Sequence, residues 1–95
     1  MARIRWSGPA GSDLARIEEY YAGIDPEFAI HAIDTALDAA EFLLERPRAG
    51  SALNGGSLRK WRVANTPLIL IYQIEDQGIL IARVQHNRSD WQSLS

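Results

Sequence analysis

The chain has 95 residues, of which 46% are hydrophobic and 23% are charged, and its formal net charge is −2. This length suits one domain spanning residues 1–95, and this balance is typical of a globular protein rather than a disordered one. The lack of cysteine excludes disulfides, zinc-thiolate sites and thiol nucleophiles. No apolar run approaches the roughly 20 residues of a membrane span, and the N-terminus lacks a signal-peptide core, so we expect a cytoplasmic protein.

The charges are divided unevenly along the chain. Between Asp13 and Glu45 there are nine acidic residues and one basic residue, which gives a formal charge of −8. The rest of the chain has nine basic and three acidic residues, which gives +6. Such a dipolar molecule would present its basic part to phosphates or to an acidic partner. Solvated charged faces without a ligand are the commoner explanation of a charge run.

The first half of the chain predicts a short strand over residues 2–6 and then two helices. Ser7 and Asp25 are capping residues, each followed within two positions by a proline, so each indicates a helix start. Gly23 ends the first helix and Pro47 ends the second. The apolar stripe of the first helix is predicted to be Ala10, Leu14, Ile17, Tyr21 and Ile24. That of the second is predicted to be Ala29, Ile30, Ile33, Leu37, Ala40 and Leu44.

The last third of the chain changes to strand patterns. After a loop over residues 49–57, three segments rich in Ile, Leu, Val, Tyr and Trp cover residues 58–64, 68–75 and 79–86, with turn residues between them. They predict an antiparallel meander. The middle segment is apolar on both faces, as in a sheet covered on two sides. The short link between the helices predicts an antiparallel helical hairpin on one face. We infer that a partner chain covers the other face, at least in part.

Five motifs follow one another along the chain: Asp13-Leu14-x-x-Ile17-x-x-Tyr20, Pro47-x-x-Gly50, Leu58-Arg59, Ile71-Tyr72 and the segment from Arg83 to Trp91. In this order they resemble the ParE/RelE superfamily of toxins from type II toxin-antitoxin systems. The resemblance implies an α+β fold with the element order β-α-α-β-β-β. It also implies a companion antitoxin, ParD-like or of another type, in a hetero-oligomer with the toxin. ParE-like members poison DNA gyrase, whereas RelE-like members cut messenger RNA in the ribosomal A site.

Two departures from the RelE-like pattern favour a ParE-like gyrase inhibitor. Trp91 stands where the resemblance would place a catalytic tyrosine, and an indole N–H is a donor only and no base. The chain also has a single lysine and a net negative charge, which suit a ribosomal RNA target poorly. A RelE-like endonuclease is the alternative, in which His86 could serve as a base. A further alternative is a member without toxicity that only binds its antitoxin.

The candidate site residues fall into two predicted groups. Residues expected to contact the target are Arg59, Lys60, Arg62, Arg83, His86, Arg88 and Trp91. Residues expected to contact the antitoxin are Leu14, Ile17, Tyr21, Trp61, Ile69 and Ile71. For Arg59 and Arg83 the alternative is a structural pairing with Asp90 or a helix acid, and for the tryptophans it is core filling. Two distant histidines offer no metal site, and we expect no catalytic residue, cofactor, small-molecule substrate or membrane partner.

Overall fold

The computed structural model describes residues 2–87, which form two helices against a five-stranded sheet. The elements are β1 (Arg3–Trp6), α1 (Gly8–Ala22), α2 (Pro26–Glu45), β2 (Ser51–Ala52), β3 (Leu58–Arg62), β4 (Leu68–Glu75) and β5 (Gly78–His86). The predicted order of a strand, two helices and a three-stranded meander is confirmed. The loop predicted over residues 49–57 also contains the two-residue strand β2, which is too short to leave a pattern in the sequence.

The sheet is mixed, with the strand order β1-β5-β4-β3-β2. The meander strands pair antiparallel, and β1 pairs parallel with β5, from Arg3 opposite Gly78 to Trp6 opposite Ile81. Parallel strands need a long crossover between them. Here both helices and strands β2 to β4 intervene, so β1 lies beside β5, the last strand within residues 2–87.

The two predicted helix starts are confirmed by their capping geometry. The Oγ atom of Ser7 accepts a hydrogen bond from the Ala10 N–H at 3.0 Å and donates one to the Ala82 carbonyl at 2.7 Å. Asp25 accepts from the Phe28 N–H at 3.2 Å. Ser7 therefore caps α1 and also holds its start against β5. Within residues 2–87, neither helix is long and apolar enough to cross a membrane.

The apolar stripe predicted for α2 is right only in part, since Ala29 and Ala40 are buried and Ile33 and Leu44 half-buried, but Ile30 and Leu37 are exposed. The residues of α2 that are buried are Ala29, Ala32, Ala36, Ala40 and Leu43. In contrast, Ile30 is 63% exposed and Leu37 is 43% exposed. The sequence offers two adjacent apolar stripes, and close packing of α2 against its neighbours selects the stripe with small side chains. Ile24, predicted to continue the stripe of the first helix, lies beyond the end of α1 and is 64% exposed.

Candidate target-binding site

Two adjoining depressions on the molecule contain most of the residues predicted to bind the target. The first, of about 490 Å³, includes Arg83 and His86 among its lining residues. The second, of about 540 Å³, includes Lys60 and Arg62. Ile69 lines both. We call the two depressions together the sheet groove.

The register of the meander explains how β3 contributes to the sheet groove. Lys60 lies opposite Ile71 and Arg62 lies opposite Ile69, so these four side chains share one face of the sheet. Trp61 lies opposite Leu70, a core residue, and faces the helices. Lys60 and Arg62 are exposed, and no ion pair within residues 2–87 engages them. They are the cations of the groove that are best placed to meet a partner.

A buried carboxylate of α1 organises the other end of the sheet groove. Asp13 is 5% exposed and accepts four hydrogen bonds. Two come from Arg83, at 2.8 Å from Nε and 2.9 Å from the terminal nitrogen, one from Arg16 at 2.8 Å, and one from the Val84 N–H at 2.9 Å. Val84 lies beyond the residues of β5 that pair with β1, so Asp13 takes the place of a neighbouring strand for this N–H.

These contacts also fix the charge states at this end. The hydrogen bonds from Arg83 hold the pKa of Asp13 below its usual value. The hydrogen bond from the Val84 N–H and the positive charges of Arg83 and Arg16 lower this pKa further, whereas burial raises it. Hydrogen bonding to Asp13 raises the pKa of Arg83. Arg83 therefore has the structural pairing with a helix acid that the sequence left open. Counting Arg16, Lys60, Arg62 and Arg83 against Asp13, the groove has a formal charge of +3.

His86 lies at the end of β5 and is engaged with the helical layer. Its Nε2 atom is 2.7 Å from the hydroxyl oxygen of Tyr21. The rings of Tyr20 and Tyr21 meet its imidazole edge to face, at centroid distances of 5.6 and 5.3 Å. These contacts give His86 a structural role in joining the end of β5 to α1.

Arg59 faces away from the sheet groove and holds the loop after α2. Its guanidinium donates to the Gly50 carbonyl at 2.5 Å. On the same loop the Tyr72 hydroxyl donates to the Pro47 carbonyl at 2.6 Å and accepts from the Gly50 N–H at 3.0 Å. A Cβ at Gly50 would lie 2.6 Å from the Tyr72 oxygen. The Pro47-x-x-Gly50 motif is thus explained by the close approach of this loop to Tyr72.

The residues predicted to bind the antitoxin are not gathered on one open surface. Ile17 and Ile71 are each 5% exposed. Leu14 and Tyr21 are half-buried and pack against the core, as does Trp61, whose ring stacks on Phe42 at a centroid distance of 5.2 Å. Ile69 is half-buried and lines the sheet groove.

The outer face of the middle strand is less open than the sequence analysis expected. Ile71 is already buried between Lys60 and Arg83, its neighbours in register on the two adjacent strands. Long basic side chains on both sides can cover such a residue without a partner chain. The large exposed apolar side chains lie elsewhere, at Ile24, Ile30, Leu37, Phe42, Leu58 and Ile74.

Two predicted target-binding residues, Arg88 and Trp91, lie outside the described residues. Sequence reasoning missed the contribution of Arg16, which an acid and a base three positions apart on a helix could have indicated. It also missed that Asp13 binds β5, which no local pattern reveals, because the two positions are 70 residues apart. Within residues 2–87, no group of three or more histidine and acidic side chains is placed to hold a metal ion.

Comparison with known proteins agrees with this architecture. The family model of the ParE toxin of the type II toxin-antitoxin system, parDE, matches residues 4–91. No curated protein matches the chain. Among solved structures, a chain of the chromosomal ParDE toxin-antitoxin system from P. aeruginosa is similar in fold, with a TM-score of 0.79 and 21% identity, over 90% of this chain and 96% of that one. The family match covers most of the chain, which therefore belongs to the ParE toxin family of type II toxin-antitoxin systems.

Proposed function

We propose that this chain is a toxin that inhibits DNA gyrase by binding it, and that a cognate antitoxin neutralises it. The observation that carries the proposal is the match to the ParE toxin family over residues 4–91. The solved relative from P. aeruginosa is described as a ParDE toxin-antitoxin system, and a partner of this kind is part of the proposal for this chain.

The chemistry of the sheet groove supports binding over RNA cleavage. Cleavage beside a ribose 2′-OH needs a group that accepts the proton and cations that stabilise the charged intermediate. Lys60 and Arg62 supply positive charge. Asp13 is paired with two arginines, and the imidazole of His86 is engaged with Tyr21. The described part of the groove therefore offers recognition of an acidic surface or of phosphates, and its histidine and its buried carboxylate are already engaged with Tyr21 and with arginines.

Charge also selects the face that meets the target. The sheet groove has a formal charge of +3, whereas the segment from Asp13 to Glu45, which contains most of both helices, has −8. Gyrase acts on DNA, and an acidic helical face would be repelled by it. The sheet groove is therefore the working face in this proposal, with Lys60 and Arg62 as its principal contacts.

Expression in cells can separate the two activities. The protein is induced without its antitoxin, and the culture is assayed for double-strand DNA breaks and, by primer extension, for cuts in translated messenger RNA. Inhibition of gyrase predicts DNA breaks that disappear when the neighbouring antitoxin gene is coexpressed. Codon-specific cuts at the ribosomal A site, with intact DNA, would refute the proposal and favour a RelE-like endonuclease. Normal growth at full expression would favour a member that only binds its antitoxin.

A further inference from the structure

The basic side chains of the sheet groove are spread over two directions of the sheet. Lys60 and Arg62 project from the same face of β3 two positions apart, which separates them by about 7 Å along the strand. Lys60 is in register with Ile71, and Ile71 is in register with Arg83 on β5. Arg83 therefore lies two strands away from Lys60, about 9 to 10 Å across the sheet. Arg16, on α1, lines the same end of the groove as Arg83. We call Arg16, Lys60, Arg62 and Arg83 the groove cations.

Asp13 holds two of the groove cations in place while leaving them accessible. Arg83 binds it through Nε and one terminal nitrogen, and Arg16 binds it through one terminal nitrogen. A guanidinium has five N–H donors, so the remaining donors of both arginines can bind a ligand. The side chain of Arg83 is 55% exposed and that of Arg16 is 69% exposed. Because the carboxylate already fixes the two guanidiniums, a ligand that binds them orders fewer side chains.

The apolar side chains that line the sheet groove are largely covered within the fold. Ile17 and Val84 are buried, and Ile69 is half-buried. Trp61 is half-buried as well, with its ring stacked on Phe42. Protein interfaces draw most of their affinity from apolar and aromatic anchors that become buried, whereas interfaces with DNA are more polar and much more positively charged. The described part of the groove therefore has the composition of an interface with DNA.

From these observations we infer that the sheet groove binds the phosphate backbone of double-stranded DNA directly. Each groove cation would meet one phosphate, the arginines through paired N–H donors and Lys60 as a point charge. Phosphate contacts position a protein without reading the bases, so binding would be independent of sequence. Single-strand sites stack bases on exposed aromatic rings, and the ring of Trp61 is already stacked on Phe42. A duplex is therefore the better ligand for this groove.

The inference deepens the proposed function and rests on it in one respect, that DNA held by gyrase is the ligand in the cell. The chain would then contact the enzyme and its DNA at the same time, and the two contacts would reinforce each other. Capture of gyrase by the immobilised chain should therefore increase about tenfold or more when DNA is added.

The main test titrates a short fluorescein-labelled DNA duplex with the purified full chain. The fluorescence anisotropy gives the binding constant at salt concentrations from about 50 to 200 mM. Each phosphate that a basic side chain neutralises contributes about −0.9 to the slope of log K against log salt concentration, so four groove cations predict a slope of about −3.6. Lys60→Gln with Arg62→Gln should make the slope shallower by about 1.8 and weaken binding about tenfold or more at the lowest salt concentration.

Two further sets of variants control for net charge and for folding. Arg46→Gln with Arg48→Gln removes the same charge from two exposed arginines outside the groove, and it should change the slope by less than about 0.5. Arg16→Gln should make the slope shallower by about 0.9, whereas Arg16→Lys keeps the charge and should keep the slope. All the substituted side chains are exposed, so folding should be preserved, and thermal unfolding checks this.

Four results would overturn the inference. One is the absence of duplex binding by the folded wild-type chain at low salt. Another is an equal change of slope in the variant of Lys60 and Arg62 and in its charge-matched control. The third is tighter binding to the single strand than to the duplex, which would assign the groove to unpaired bases. The fourth is displacement of the labelled duplex by poly-glutamate as effectively as by unlabelled duplex, which would assign the groove to an acidic protein.

Inhibition of gyrase is measured in parallel, so that failure of the inference and failure of the proposed function can be told apart. A wild-type chain that inhibits supercoiling without binding DNA would overturn the inference and leave the proposed function standing. A wild-type chain that binds DNA through the groove without inhibiting gyrase would refute the proposed function and leave direct DNA binding standing.

Discussion

Replacing Asp13 is expected to destabilise the domain more than replacing any exposed acid of the helices. Its carboxylate is the acceptor for the Val84 N–H, which is buried at the free edge of β5, and for two arginines. Asp13→Ala leaves that N–H without a protein partner, whereas Arg83 and Arg16 reach solvent. Asp13→Asn keeps one oxygen for the Val84 N–H. The control is Glu19→Gln, which removes the same charge from an exposed position of the same helix.

The size of the effect follows from the hydrogen bonds that are lost. A buried donor left unsatisfied costs about 1 to 3 kcal/mol, and a hydrogen bond to a charged group contributes about 1.5 to 3 kcal/mol. Together these ranges span about 2.5 to 6 kcal/mol, and because the arginines regain water we expect a loss near the lower end, about 3 kcal/mol for Asp13→Ala. Asp13→Asn keeps one acceptor and should cost about 2 kcal/mol. For a domain of this size each kcal/mol lowers the Tm by about 4 to 8 °C. Glu19→Gln should stay within about 0.5 kcal/mol of the wild type.

The pH dependence gives the same prediction a second readout. The pKa of Asp13 is lowered in the folded state, chiefly by its hydrogen bonds to Arg83. Its contribution to stability is then complete above its unfolded pKa of about 4 and is lost as the pH falls through the lower folded value. The difference between the wild type and Asp13→Asn in urea denaturation should be largest between about pH 5 and 7 and shrink in acid. Equal midpoints for Asp13→Asn and Glu19→Gln at pH 7 would refute the assigned role.

Further predictions concern the loop after α2 and the start of β5, and urea denaturation checks each of them. Gly50→Ala places a Cβ 2.6 Å from the Tyr72 hydroxyl oxygen and should cost about 1 to 3 kcal/mol, while Tyr72→Phe removes the acceptor of the Gly50 N–H and should cost a similar amount. Gly78→Ala combines a φ of 144° with a Cβ that would overlap the Arg3 carbonyl, so β1 should detach from β5. Gly11→Ala, with open space around its Cβ, is the control and should be neutral or stabilising. If Gly50→Ala or Gly78→Ala were as stable as Gly11→Ala, the close approaches described here would be wrong.

The elements could be predicted because their signals are local. Ser7 and Asp25, each with a nearby proline, mark both helix starts, and the turns at residues 65–67 and 76–78 separate the meander strands. The parallel pairing of β1 with β5 has no such signal, since it joins residues about 75 positions apart. It follows from the packing of the whole sheet and is compatible with the fold that the family resemblance implied.

The candidate site was predicted in its composition more than in its arrangement. Lys60 and Arg62 lie in the sheet groove because their register with β4 places them there, and the alternation along β3 contains that information. The sequence did not show which basic side chains are already paired with an acid, because Asp13 and Arg83 are brought together only by the fold. Likewise, α2 has two adjacent apolar stripes, and periodicity cannot decide which one the neighbouring layer will accept.

The central claim is tested most directly with purified gyrase and relaxed plasmid DNA. The wild-type chain should block supercoiling and, after the reaction is stopped with detergent, yield linear DNA that appears only when gyrase is present. Adding the antitoxin should reverse both effects. Lys60→Ala with Arg62→Ala, with unchanged folding, should reduce the inhibition about tenfold or more. Unchanged supercoiling at a large molar excess of the folded wild-type chain would contradict the account.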